Sequence, residues 1–220
     1  QNDQPHGQGT YAYANGERYT GEFQQGLWHG MGNYFFKGEQ LHYSGAWHEG
    51  QKHGPGTIYF PDGSSYKGAW QNDQPHGKGT YTYANGHVYA GSFQNGDRHG
   101  PGQYLVENSL LYYEGDWRGD QKHGQGALYD EEGSKLYEGG FQHDLAAGNG
   151  KEFRQDGTPY YEGEFASGAK HGSGTFFSIS GTPSFQGTLE NGVRSGAGDE
   201  YRDDGSLFYS GGWQNDRKHG

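Results

Sequence analysis

Tyr66-Lys67-Gly68-Ala69-Trp70-Gln71-Asn72-Asp73-Gln74-Pro75-His76-Gly77-Lys78-Gly79-Thr80-Tyr81 carries the pattern on which the whole chain is built. Tyr66, Gly68 and Trp70 stand at alternate positions, so they share one face of a β-strand, whose side chains alternate sides. Gln71-Asn72-Asp73 is turn chemistry. His76-Gly77-Lys78-Gly79-Thr80-Tyr81 then sets two glycines and an aromatic on one face of a second strand, which makes the segment a β-hairpin. A helix is excluded, because glycine recurring every few residues costs about 1 kcal/mol each in a helix interior.

Outward from this hairpin the pattern repeats. Tyr-x-Gly-x-Trp/Phe begins again at Tyr19, Tyr43, Tyr89, Tyr113, Tyr137 and Tyr161, with Phe185 and Tyr209 continuing the series at steps of 23 to 24 residues. His-Gly-x-Gly recurs at His29, His53, His99, His123 and His171. Asn15-Gly16, Asp62-Gly63, Asn85-Gly86, Asp156-Gly157 and Asp204-Gly205 mark a second turn in each unit. Such a period signals stacked supersecondary units. Full repeats start near 19, 43, 66, 89, 113, 137, 161 and 185, flanked by partial repeats over 1–18 and 209–220. No linker interrupts them, so 1–220 reads as one continuous array and as a piece of a longer one. The expected fold is all-β: an elongated, solenoid-like rod made of a single twisted antiparallel sheet of tandem hairpins. At about 4.8 Å per strand it extends about 90 Å.

Composition agrees with this reading. The chain has 44 Gly and 29% hydrophobic residues with a mean hydropathy of −1.15, too few aliphatic side chains for an α/β enzyme core. Its 19 Tyr, 12 Phe and 5 Trp exceed disordered composition and leave an aromatic core one layer deep. Glycine is poor in strands unless another group approaches the backbone, so rings of neighbouring hairpins are expected over the bare positions. There is no cysteine, glycosylation sequon, leader-like start or apolar run of membrane-spanning length, which makes the cytoplasm the default compartment. A net charge of −11 argues against nucleic acid as a partner.

The repeated Tyr-x-Gly-x-Trp/Phe-x-x-Gly-x-x-His-Gly-x-Gly-x-Tyr resembles the MORN repeat, the membrane occupation and recognition nexus, across essentially the whole chain. The resemblance implies stacked hairpins with an aromatic-lined groove; with no Gly-x-Ser-x-Gly elbow or His-Glu-x-x-His pair in the chain, no catalysis and no cofactor are expected. It also implies scaffolding of cytoskeletal or membrane-associated proteins, as in protist cytoskeletal arrays. Ala147 and Ser195 stand in place of His, Leu189 in place of Trp/Phe and Phe185 in place of Tyr, so the units from Tyr137 and Phe185 depart from the pattern.

The aromatic face is the leading candidate surface: Tyr43, Trp47, Tyr66, Trp70, Tyr89, Phe93, Tyr113, Trp117, Tyr137, Phe141, Tyr161 and Phe165 would line a partner-binding groove. Tyr104-Leu105-Val106 with Leu110-Leu111-Tyr112, where an Asp-Gly turn is expected, is a further contact patch. Leu207, Phe208, Tyr209 and Trp213 form a candidate end for homodimerisation, since exposed sheet edges recruit strands. His29, His53, His76, His99, His123 and His171 read as structural: equivalent imidazoles about 10 Å apart cannot share a metal, and each is expected to hydrogen bond to the neighbouring unit. A metal shared between two chains stays open. Gly77-Lys78-Gly79 lacks the helix context of a phosphate loop. Lys122, Lys170, Arg194, Arg217 and Lys218 are candidates for anionic phospholipid, offset by carboxylates such as Asp73, Asp144 and Asp216 on the same edge. The leading function is a self-associating scaffold for partner proteins. The alternatives are a peripheral phosphoinositide-binding module and, more remotely, the targeting region of a larger enzyme.

Overall fold

A computed structural model of the chain describes residues 4–219. These residues form strands joined by turns, with one short 3-10 turn at Glu107–Ser109 and no α-helix among the described residues. They divide into two compact units, 1–109 and 110–220. The first contains β1 (Gly7–Ala12), β2 (Arg18–Gln24), β3 (Leu27–Phe35), β4 (Leu41–His48), β5 (Gln51–Tyr59), β6 (Ser65–Gln71), β7 (Gln74–Thr82), β8 (Val88–Gln94) and β9 (Asp97–Val106). The second contains β10 (Leu110–Arg118), β11 (Gln121–Tyr129), β12 (Lys135–Gln142), β13 (Leu145–Phe153), β14 (Pro159–Ala166), β15 (Ala169–Phe177), β16 (Pro183–Glu190), β17 (Val193–Tyr201), β18 (Leu207–Gln214) and β19 (Arg217–His219). Within each unit every strand pairs antiparallel with the next in sequence, which is the all-β sheet of successive hairpins that the repeat predicts. Gln1, Asn2, Asp3 and Gly220 of the partial repeats lie outside the described residues.

The tight turn of each hairpin takes two residues in the left-handed region, as in Gln25 (φ 52°) with Gly26 (φ 82°) and Asn72 (φ 50°) with Asp73 (φ 66°). That pair of conformations matches the right-handed twist of the flanking strands, which is why Asn, Asp and Gly are used there. The other turn is fastened by an Asx bond: the Asp62 carboxylate accepts from the Ser64 amide at 2.9 Å, and Asp156 from the Thr158 amide at 2.9 Å. The break between the units falls where this turn signature is missing, at Glu107–Ser109.

Register explains the glycines. In the first unit Gly45 faces Gly56, Gly56 faces Gly68, Gly68 faces Gly79 and Gly79 faces Gly91, so a bare stripe crosses the sheet. The second unit has its own stripe through Gly115, Gly126, Gly139, Gly150, Gly163 and beyond. The ring over each glycine pair is the leading Tyr of the same hairpin, or Phe185 in its repeat, not the neighbour's ring that composition alone led us to expect. A β-carbon on Gly56 would sit 2.2 Å from the Tyr43 hydroxyl oxygen. That hydroxyl donates to the Ala46 carbonyl at 3.0 Å, three residues on, and Tyr66 bonds Ala69 in the same way at 2.8 Å. The neighbour contributes an indole instead: Trp70 Nε1 donates to the Gly56 carbonyl and Trp47 Nε1 to the Gly32 carbonyl, both at 3.3 Å. Edge-to-face pairs then alternate within and between hairpins, Tyr43 with Trp47 at 4.8 Å and Tyr43 with Trp70 at 5.5 Å. Each buried ring contributes about 1.5–3 kcal/mol, which substitutes for the missing aliphatic core.

The two glycines of His-Gly-x-Gly do different jobs. The second belongs to the stripe, whereas the first has a positive φ, 77° at Gly54, in a bulge where the register shifts between Gly45 and Trp47. A second bulge explains why some repeats have 24 residues and others 23. In the longer ones an extra residue precedes the leading aromatic: Glu152 pairs with Tyr161 and Phe153 with Pro159, leaving Tyr160 unopposed. In the shorter ones Ile58 pairs with Tyr66 and Tyr59 with Ser65, leaving none.

Candidate interaction surface

All twelve residues expected to line an aromatic groove are buried. Tyr43, Tyr66, Tyr89, Tyr113 and Tyr161 are 0% exposed, and Trp47, Trp70, Phe93, Trp117, Tyr137, Phe141 and Phe165 are at most 6% exposed. They are core rather than an open groove, because the glycine stripe lets each Tyr ring lie flat against the backbone while the next Trp or Phe closes over its edge. Burial pushes the phenol pKa of Tyr66 up to about 12, as it does for Tyr19, Tyr137 and Tyr161.

The residue before the His position is a lid on this core. Lys52 Nζ lies 5.9 Å from the Tyr43 ring centre, Lys122 5.7 Å from Tyr113, Lys170 5.5 Å from Tyr161 and Lys218 5.1 Å from Tyr209. Arg194 does the same over Phe185 at 5.5 Å. In the first hairpin Trp28 takes the place of the cation and stacks on Tyr19, with ring centres 4.6 Å apart. These contacts engage cations that the sequence offered as candidates for anionic phospholipid. Lys170 is paired with Glu152 at 2.6 Å, Lys218 with Glu200 at 2.5 Å and Arg194 with Asp216 at 3.1 Å, while the Asp144 carboxylate accepts from the Lys122 amide at 2.8 Å. Burial pushes the Lys122 ammonium pKa down. Of the five candidates Arg217 alone is exposed with neither a ring beneath it nor an ion pair among the described residues.

The histidines occupy the residue before the bulge glycine, at or near the surface. Successive hairpins are tied by backbone rather than by the expected imidazole bonds: the Gly50 amide donates to the Trp28 carbonyl at 2.9 Å, and the Asp73 amide to the Lys52 carbonyl at 3.1 Å. His48, outside the pattern, stands between two of the pattern histidines, 5.1 Å from His29 and 5.7 Å from His53. Among the described residues no group of three His, Asp or Glu is arranged to hold a metal.

Two residues of the expected dimer end, Leu207 and Phe208, are exposed at 53% and 55%. Trp213 is core at 4%, and β18 is paired on both edges, with β17 and β19. Phe208 belongs to a different arrangement. It is the bulged residue of its repeat, as are Leu136 and Tyr160, and with Tyr112, which also precedes its leading Tyr, these form an exposed apolar series in the second unit. A cation accompanies three of the four: Lys122 lies 5.6 Å from the Tyr112 ring, Lys170 5.3 Å from Tyr160 and Lys218 4.1 Å from Phe208. In the first unit the equivalent positions are Arg18, His42, Ser65 and Val88, with no exposed ring. The signal in the sequence was the extra residue of each 24-residue repeat, which a search for fixed positions passes over. The Tyr104-Leu105-Val106 and Leu110-Leu111 segments are half-buried.

The MORN repeat family matches residues 1–18, 19–38, 43–65, 66–88, 89–105, 113–135, 137–158, 161–182, 185–207 and 209–220. The chain belongs to the MORN repeat family. A search of curated proteins gave no match. MORN repeats are protein- and membrane-binding modules rather than catalytic ones. The match includes the units from Tyr137 and Phe185, so the replacements at Ala147, Leu189 and Ser195 stay within the MORN pattern. No helix among the described residues is long and apolar enough to cross a membrane.

Proposed function

We propose that this MORN array is a non-catalytic scaffold that holds a partner protein along the exposed series Tyr112, Leu136, Tyr160 and Phe208, self-associates, and works at a membrane-associated cytoskeletal structure. The observation that carries the reading is that series: large apolar side chains left 38–55% exposed at the same position of their repeats, in 24-residue steps that skip only Ser184. Interface anchors are drawn from rings of this kind.

A peripheral phosphoinositide-binding role draws on the cations beside these rings. It is the weaker reading, since Lys170, Arg194 and Lys218 already have carboxylate partners. Affinity capture from cells with the natural chain and with a variant carrying Tyr112→Ser, Leu136→Ser, Tyr160→Ser and Phe208→Ser tests the proposal. Partners retained by the first and lost by the second support it; equal retention rejects it. Co-sedimentation with phosphoinositide vesicles at physiological salt, if strong, favours the lipid role.

A further inference from the structure

We infer that the depression at Ser184 receives one aromatic side chain carried on a basic, extended segment of a partner protein, an anchor point that rests on the scaffold reading above. Ser184 is the bulged residue of its repeat, in register with Leu136, Tyr160 and Phe208. Where those repeats place a large apolar side chain, this one has a small hydroxyl turned back to the Phe176 carbonyl at 3.2 Å. The result is a pocket of 420 Å³ lined by residues that include Tyr160, Phe177, Phe185, Tyr201, Arg194 and Glu200. Its volume falls within the range of about 300–1,000 Å³ usual for binding sites.

The chemistry of the lining selects the occupant. Arg194 is engaged by Asp216 at 3.1 Å and lies 3.8 Å from Glu200, which also takes Lys218 at 2.5 Å. Arg194 and Lys218 balance Glu200 and Asp216, so the site carries no net charge to draw a charged occupant. An uncharged ring gains apolar area and edge contacts with Tyr160, Phe177 and Phe185. The sign of the flanking residues follows from the unit as a whole: residues 110–220 hold 18 Asp and Glu against 10 Lys and Arg, a net −8. That field attracts a basic segment and disfavours an anionic surface.

The test uses the full chain and a short fluorescent peptide with one central Phe between Arg residues, followed by anisotropy. Replacing the peptide Phe with Ala should weaken binding by at least about tenfold. Ser184→Tyr should weaken it similarly with an unchanged melting temperature, because the substitution restores the residue found at Tyr160. A peptide flanked by Glu in place of Arg should bind less well at low salt. Equal binding of the Ala peptide, or full binding by Ser184→Tyr, overturns the inference. It is equally overturned if Ser184→Tyr alters only oligomeric mass or only binding to anionic vesicles. In cells, loss of a partner by the four-residue Ser variant with retention by Ser184→Tyr removes the pocket and leaves the scaffold standing. Retention by both removes the scaffold reading.

Discussion

The ring of Tyr66 fills the space that a side chain at Gly79 needs: a β-carbon there would lie 2.4 Å from the Tyr66 hydroxyl oxygen and 2.5 Å from its Cε2. The two residues sit on paired strands, β6 and β7, and neither the ring nor the backbone beneath it has a free direction, because the same hydroxyl is bonded to the Ala69 carbonyl. The glycine stripe and the tyrosine layer are therefore one structural device.

Gly79→Ala should destabilise the chain by about 1–3 kcal/mol, the usual cost of forcing atoms into a filled core. Gly9→Ala provides the comparison, since a β-carbon there meets only the edge of the Phe23 ring, at 3.3 Å. Urea denaturation of the two variants should rank Gly79→Ala well below Gly9→Ala. Equal midpoints would contradict the close approach.

The repeat at Phe185 lacks the hydroxyl that its counterparts use, as when Tyr161 donates to the Glu164 carbonyl at 3.1 Å. Phe185→Tyr should stabilise by about 0.5–1.5 kcal/mol by supplying the donor, and Tyr66→Phe should destabilise by a similar amount. A denaturation midpoint for Phe185→Tyr at or below that of the natural chain would show that this repeat cannot accept the bond.

Much of this was readable beforehand, and the rest for definite reasons was not. Tyr66, Gly68 and Trp70 at alternate positions reveal the strand, and Asn72-Asp73 the turn, because both depend on local backbone geometry. Which ring covers Gly79 depends on register and rotamer, and the Tyr of the same hairpin reaches it as easily as a neighbour's. The lid role of Lys170 was hidden because a lysine stem over a ring and a lysine facing lipid give the same letter in the sequence. Tyr160 and Ser184 were missed because a bulge residue falls outside the fixed positions of the repeat, although the extra residue of the 24-residue steps already marked it.

Alkaline pH should unfold the array. The phenols of Tyr19, Tyr66, Tyr137 and Tyr161 are raised by burial from 10.0 to about 12. A raised folded-state pKa means that the native state favours the protonated phenol. The contribution to stability is complete below about pH 10 and is lost as pH rises towards about 12. Circular dichroism should show cooperative loss of the sheet in that window, together with tyrosinate absorbance, and little change between pH 7 and 9. Free titration of these phenols near pH 10 with the sheet intact would place them on the surface.

The tie between successive hairpins at Asp73 separates charge from hydrogen bonding. Its carboxylate accepts from the Lys52 amide at 2.9 Å and from Lys52 Nζ at 3.0 Å, while its own amide donates to the Lys52 carbonyl at 3.1 Å. The site is partly exposed, with side-chain accessibilities of 19% for Lys52 and 44% for Asp73, so the ion pair alone is worth little. Asp73→Asn keeps an oxygen acceptor for the amide and tolerates the left-handed turn, and should cost less than about 0.5 kcal/mol. Asp73→Ala removes the acceptor and places a β-carbon residue without turn preference at φ 66°, and should cost about 1–2 kcal/mol. The natural chain should weaken only slightly in high salt, because the amide bond and the turn, not the charge, carry the link. Urea midpoints for the two variants at low and high salt decide the point: if Asn is as damaging as Ala, and salt erases the difference from the natural chain, the tie is electrostatic instead.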